Sequence, residues 1–201
     1  MTPVKRSAAK AAAPAKKTSI LAADPCTIVI FGASGDLSRR KLVPALYGLA
    51  AQNCLARRFA IIGFARTPMT DEAFQASAVD SVKKFADAGT AQQEADCKEF
   101  AKALAYVAGE YHRAEAFEKL KHRLEELDRV HKLEGNRLFY LATPPDVYPL
   151  IIEQLEKAGL AQHSNGKSWV RVIIEKPYGR DLASAKKLNQ TVLKVFEESQ
   201  V

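Results

Sequence analysis

The 201 residues contain no run of 18 or more apolar side chains, so nothing in the sequence reads as a membrane span. Cysteine is scarce and odd in number. Cys26, Cys54 and Cys97 are widely separated and form no C-x-x-C, which excludes a disulfide framework and a thiolate zinc site and fits a reducing cytoplasm. Four histidines (His112, His122, His131, His163) stand in polar contexts without metal-ligand spacing, so no metal site is expected. Acid is missing from residues 1–23, which hold Lys5, Arg6, Lys10, Lys16 and Lys17. Most of the formal charge of +7 therefore belongs to that Ala/Lys/Pro-rich segment, not to a nucleic-acid-binding face. With little apolar surface to bury, residues 1–23 are expected to be a disordered tail. They also lack the apolar core of a secretory signal.

Residues 24–201 are richer in structure. "CTIVIF" (26–31) and "FAIIGFA" (59–65) are short, unalternating apolar runs, as strands covered on both faces would be. "ALAYVAG" (103–109), "NRLFYLAT" (136–143) and "WVRVIIEKP" (169–177) supply three more strands. Helical segments alternate with them. Pro44 sits badly inside "SRRKLVPALYGLAAQN", so the regular helix there is expected to begin near Val43 after a loose turn. Residues 71–89 read as a helix stopped by Gly89, and an Ala-rich helix follows. From Arg113 the spacing of Phe117, Leu120, Leu124, Leu127 and Val130 predicts an amphipathic helix. "DVYPLIIEQLEKAG" predicts a helix ended by Gly159. Asp181 is placed to cap a last helix carrying Leu182, Ala185, Leu188, Val192, Val195 and Phe196 on one side. Strands alternating with helices imply an α/β fold of Rossmann type, a doubly wound and mostly parallel sheet with helices on both faces.

The first strand runs into Gly32-Ala33-Ser34-Gly35-Asp36 and then a helix, the context in which a glycine turn cradles phosphate. The turn is G-x-x-G, not the longer G-x-G-x-x-G. Arg39, Arg40 and Lys41 at the mouth of that helix oppose its dipole unless phosphates occupy the site. Where an NAD enzyme carries an acid after the second strand, this sequence carries Arg66, whose planar fork suits a 2′-phosphate. That points to NADP as cofactor. Thr143-Pro144-Pro145 and Glu175-Lys176-Pro177 fall at the carboxyl ends of the fourth and fifth strands, where open α/β sheets bind ligands. Lys176 is placed to donate to a substrate hydroxyl or phosphate, with Glu175 to orient it and Pro177 to fix the turn, where an X-Pro bond can be cis.

"GASGDL", "GFAR", "RLFYLATPPDVY" and "RVIIEKPYGRDLASAKKLN", in this order, resemble glucose-6-phosphate dehydrogenase over residues 26 to 200. The resemblance implies NADP-dependent oxidation of glucose 6-phosphate to 6-phosphogluconolactone, the first step of the pentose phosphate pathway. It also implies that residues 24–201 form the NADP-binding domain. The segment Gly32, Ala33, Ser34, Gly35, Asp36, Leu37, Ser38 and Arg39 would bind the coenzyme phosphates and Arg66 the 2′-phosphate side. Tyr140 would lie near the coenzyme, and Lys176 would touch coenzyme and substrate. The family's general base is a histidine in a D-H-Y-L-G-K-E segment followed by a large second domain that forms the oligomer. No D-H-Y occurs in these 201 residues. No catalytic base is therefore assigned, and the chain alone is expected to be inactive. Glucose–fructose oxidoreductase-like proteins share E-K-P but not "GASGDL". Short-chain reductases need Y-x-x-x-K, and none of the six tyrosines has a lysine four residues on. A non-catalytic NADP-binding module is the remaining alternative.

Overall fold

A computed structural model describes residues 23–86, 90–162 and 167–201. The expectations for the basic segment (all but Ala23), Gly89 and His163 fall outside the described residues. Five strands, β1 (Cys26–Phe31), β2 (Phe59–Ala65), β3 (Leu104–Ala108), β4 (Arg137–Leu141) and β5 (Val170–Ile174), form one parallel sheet in the order β3-β2-β1-β4-β5. Strand β1 is central, pairing Val29 with Ile62 on one side and with Phe139 on the other. The order turns back between β1 and β4, the switch point at which such sheets open a crevice.

Alternate residues of the strands feed two cores. Val29 and Phe31 point into one that includes Phe117, Leu120, Ile151 and Leu188, from α4 (Ala114–His131), α5 (Tyr148–Lys157) and α6 (Leu182–Val195). Ile28 and Ile30 point into the other, with Val43 and Tyr47 of α1 (Val43–Ala51), Phe74 and Val82 of α2 (Asp71–Phe85) and Cys97 of α3 (Ala91–Ala101). Because β1 and β2 are buried on both faces, they need the unbroken apolar runs seen in the sequence. β5 lies at the edge of the sheet, and there burial alternates, with Val170 and Val172 inside and Arg171 and Ile173 exposed.

Three local expectations are corrected. The segment before Val43 is not a loose turn but a π turn, Ser38–Leu42, continuous with α1, in which Val43 N–H donates to Ser38 O. Pro44 has no N–H, and its ring would strike the carbonyl four residues back in a tight helix. The wider turn makes room for it. Val130 is 62% exposed, because at about 100° per residue it has rotated off the stripe that begins at Phe117. Leu182, in the first turn of α6, is 70% exposed for the same reason, while Leu188, Val192 and Phe196 are buried.

The helix ends follow capping chemistry. Gly159 takes φ +67° after α5, and Leu160 N–H reaches back to Leu155 O at 2.8 Å while both leucines bury in the same core. Asp181 caps α6 by accepting from Ser184 N–H at 2.7 Å, and the Asp181 N–H donates in return to Ser184 Oγ at 3.0 Å. Asp181→Ala is expected to lower stability by loss of the cap, read as a downward shift of the urea midpoint at unchanged slope. An unaltered midpoint would mean that the cap contributes nothing to folding.

Candidate functional site

Gly32 follows β1 directly with φ +86°, a conformation that side-chain-bearing residues rarely adopt. A Cβ placed there would lie 2.5 Å from Ala142 O, so the turn at the end of β1 and the exit of β4 approach as closely as backbones can. Gly32 N–H and Ala33 N–H both donate to Phe64 O, at 2.8 and 3.3 Å, which fastens the turn to β2 as well. Gly35 N–H closes the turn on Gly32 O at 2.9 Å. The first helical residues follow at once, and their amides, having no carbonyl four residues back in a helix, face the turn.

These elements enclose a cleft of about 250 Å³ at the carboxyl edge of the sheet, lined among others by Gly32, Ser34, Gly35, Arg66, Tyr111 and Thr143. Ser34 Oγ accepts from Thr67 Oγ1 at 3.2 Å, and Thr67 O accepts from the Tyr106 hydroxyl at 2.8 Å, so the rim is braced by β3. Tyr111 is buried against Phe64, rings 5.8 Å apart and stacked. Burial pushes its hydroxyl pKa up, and the Arg66 guanidinium opposes that rise. Arg66 itself is exposed and forms no ion pair or side-chain hydrogen bond among the described residues. Thr143 is buried, yet its Oγ1 has no partner among them.

The residues singled out from the sequence therefore separate. Gly32, Ser34, Gly35 and Arg66 line one cleft. Ala33 is buried beneath it in the core with Val43 and Phe74. Arg39, Arg40 and Lys41 do not act as one group. Arg40 pairs with Asp36 at 3.3 Å and lies over the Phe85 ring at 5.8 Å, whereas Arg39 and Lys41 are exposed without a partner among the described residues. Leu37 is 39% exposed, and Ser38 is fully buried with its Oγ unpartnered among the described residues. Tyr140 and Lys176 lie off the cleft. Lys176 is exposed, and its bond to Pro177 is cis. Glu175 does not orient Lys176 by pairing with it. Its carboxylate accepts a short hydrogen bond from the Tyr140 hydroxyl across the β4–β5 gap. Thr67 and Tyr111 were not anticipated. Each stands just beyond the carboxyl end of a strand, and that position alone would have flagged it.

Burial, the hydrogen bond to Glu175 and the charge of Glu175 push Tyr140 up to about 12 from a usual 10.0. The neutral phenol is thus favoured by the fold. Its stabilising contribution is whole below pH 10 and is lost as pH rises through about 12. In an ultraviolet titration Tyr140 is expected to ionise last, and Tyr140→Phe to remove that late component. A chain in which all six tyrosines ionise together near pH 10 would contradict the half-buried hydrogen bond to Glu175.

A larger cavity, about 580 Å³, opens between α1, α3 and the start of β2. It lies at the amino ends of the strands, the edge that such sheets do not use for ligands. Its Lys102 and Arg58 are already paired, with Glu99 at 2.5 Å and Glu134 at 3.2 Å. Of the histidines described, His112 and His122 are exposed, and His131 borders this far cavity. None lines the glycine-turn cleft. Among the described residues no helix is long and apolar enough to cross a membrane.

A parallel sheet of order 3-2-1-4-5, with a glycine turn and a helix start at its switch point, defines a dinucleotide-binding Rossmann domain. The family model described as glucose-6-phosphate dehydrogenase, NAD binding domain, matches residues 29–201. Glucose-6-phosphate 1-dehydrogenase of Chlamydia pneumoniae is 43% identical over 182 residues, covering 88% of this chain and 35% of its own. Glucose-6-phosphate 1-dehydrogenase 2 of Mycobacterium bovis is 42% identical over 179 residues, covering 89% and 34%. A solved structure of glucose-6-phosphate dehydrogenase with its substrate glucose-6-phosphate superposes with a TM-score of 0.77 at 35% identity, over 88% of this chain and 35% of that one. The Mycobacterium avium glucose-6-phosphate 1-dehydrogenase gives 0.70 at 29%, with the same coverage. The chain belongs to the glucose-6-phosphate dehydrogenase family, and it spans about a third of the length of the relatives it matches.

The site residues suit the dinucleotide that the family implies. A glycine turn held so close to Ala142 that Gly32 has no room for a Cβ, a helix start beside it, and a Thr143 hydroxyl and an Arg66 guanidinium without partners among the described residues suit a pyrophosphate and its flanking ribose.

Proposed function

We propose that residues 24–201 are the coenzyme-binding part of an enzyme that oxidises glucose 6-phosphate at C1 and reduces NADP. The observation that carries the reading is the cleft at Gly32–Gly35 with Arg66 at its rim. When bound, the coenzyme supplies the hydride acceptor. Gly32, Ser34, Gly35 and the helix start hold its phosphates without side-chain bulk in the way. Arg66 neutralises the 2′-phosphate, which makes NADP the preferred coenzyme. Arg39, exposed one turn further along, adds positive charge on the phosphate side. Lys176, two residues beyond the end of β5, reaches coenzyme and substrate from the other flank, with Tyr140 close by.

Oxidation of a sugar hydroxyl also needs a base to take its proton, and none of the described histidines stands at the cleft. The base, the contacts to the substrate phosphate and the surface for homo-oligomer formation are assigned to the part of the family's length beyond this match. Three free cysteines fit residence in a reducing cytoplasm. The test is to mix the 201-residue chain with glucose 6-phosphate and NADP and follow NADPH. No turnover is expected, while NADP binding is retained. Turnover of the order of 10 s⁻¹, an ordinary enzyme rate, would place a base among His112, His122, His131 and His163 and overturn this division of labour.

A further inference from the structure

Side chains of β4 alternate: Phe139 and Leu141 enter the core under α4–α6, while Leu138 and Ala142 pack toward the opposite core, and Tyr140 falls between them on that second face. Tyr140 is opposite Ile173 of β5 in register, so its hydroxyl meets Glu175 two residues further along the neighbouring strand. Glu175 is half-buried, and among the described residues the Tyr140 hydroxyl is the donor to its carboxylate. A carboxylate taken partly out of water holds such a donor firmly. The next residue is Lys176, exposed and without any polar partner among the described residues. With no partner for that side chain among the described residues, the direction in which it leaves the chain is set by the backbone at the exit of β5.

We propose that Tyr140 is a positioning residue and not a direct coenzyme contact: its hydroxyl, by holding the Glu175 carboxylate, fixes the exit of β5 so that Lys176 is aimed at the nicotinamide half of the coenzyme. The proposal rests on the reading above that Lys176 meets the coenzyme. The geometry divides the ligand. Arg66 follows β2 and serves the adenosine half, whereas the two-part construction of these sheets puts the other half over β4 and β5. The latch touches only that second half.

The test is calorimetric titration of the 201-residue chain with NADP and with adenosine 2′,5′-bisphosphate, which carries the 2′-phosphate and lacks nicotinamide. Tyr140→Phe is expected to weaken NADP by roughly 2- to 10-fold, the worth of one hydrogen bond, and to leave the bisphosphate unchanged. Glu175→Ala should reproduce that loss, and Tyr140→Phe with Glu175→Ala should add nothing further. Glu175→Gln, which keeps an acceptor for the hydroxyl, should bind NADP as the parent does. Additive losses from the two single changes would mean that Tyr140 meets the coenzyme on its own, and the proposal falls. It also falls if Tyr140→Phe leaves NADP affinity unaltered, or if both ligands weaken together. If the parent chain binds neither ligand, the coenzyme reading itself has failed, an outcome separate from the others. Should Tyr140→Phe not fold, the comparison of Glu175→Ala with Glu175→Gln on the two ligands decides alone.

Discussion

Arg66→Ala is expected to weaken NADP by about 10- to 150-fold while leaving NAD almost unchanged. A charge-assisted hydrogen bond contributes roughly 1.5–3 kcal/mol net, and the conversion to affinity gives that range. Arg66 follows β2 directly, lines the cleft, and has no ion-pair partner among the described residues to compete for its guanidinium. NAD presents only a hydroxyl at the position of the 2′-phosphate, so it has little to lose. Arg66→Asp should go further, because a carboxylate repels the phosphate and accepts from a ribose hydroxyl. Calorimetric affinities for the two coenzymes check both variants. An equal loss for NADP and NAD after Arg66→Ala would show that the residue holds the loop and does not read the phosphate. Arg39 would then be the better source of the charge, since Arg40 is engaged by Asp36 and Phe85.

Gly32→Ala is expected to abolish measurable coenzyme binding and to lower stability by about 1–3 kcal/mol from backbone strain alone. Two costs combine. The residue sits at φ +86°, and the new Cβ would meet Ala142 O at 2.5 Å, a backbone atom that cannot swing aside. Relief requires β1 and β4 to part at the cleft, which also misplaces the turn and helix-start amides proposed to hold the phosphates. Thermal unfolding and NADP titration read the two effects. A variant that keeps both the parent melting point and its affinity would show that the turn is not the phosphate cradle.

How much of this was legible in the sequence depended on whether a residue's role is local. The strands of the sheet centre were readable because burial on both faces demands unbroken apolar runs, as in "CTIVIF" and "FAIIGFA". Gly32 was readable because strand, glycine and helix are contiguous in the chain, and Arg66 because the residue after β2 has a fixed place beside the turn. What was not legible depended on neighbours distant in sequence or on helix geometry. Pro44 announces a disturbance, but whether the chain answers with a loose turn or a π turn depends on packing against the sheet. Val130 matches the apolar spacing at its start and drifts off it only because the helix has 3.6 residues per turn. Arg39 and Arg40 are adjacent in sequence, yet only Arg40 finds Asp36 and Phe85. The Glu175 carboxylate would naturally be paired with Lys176 beside it. Its partner is instead Tyr140, 35 residues earlier, brought opposite by the β4–β5 register.

The central claim is that the cleft at Gly32–Gly35 binds a dinucleotide and that Arg66 makes it prefer NADP. The most direct measurement is calorimetric titration of the unmodified 201-residue chain with NADP and, separately, with NAD. The account predicts one site per chain, with NADP bound at least about 10-fold more tightly than NAD, the lower bound of a single charge-assisted contact. Equal affinity for the two, or no heat with either, would contradict it.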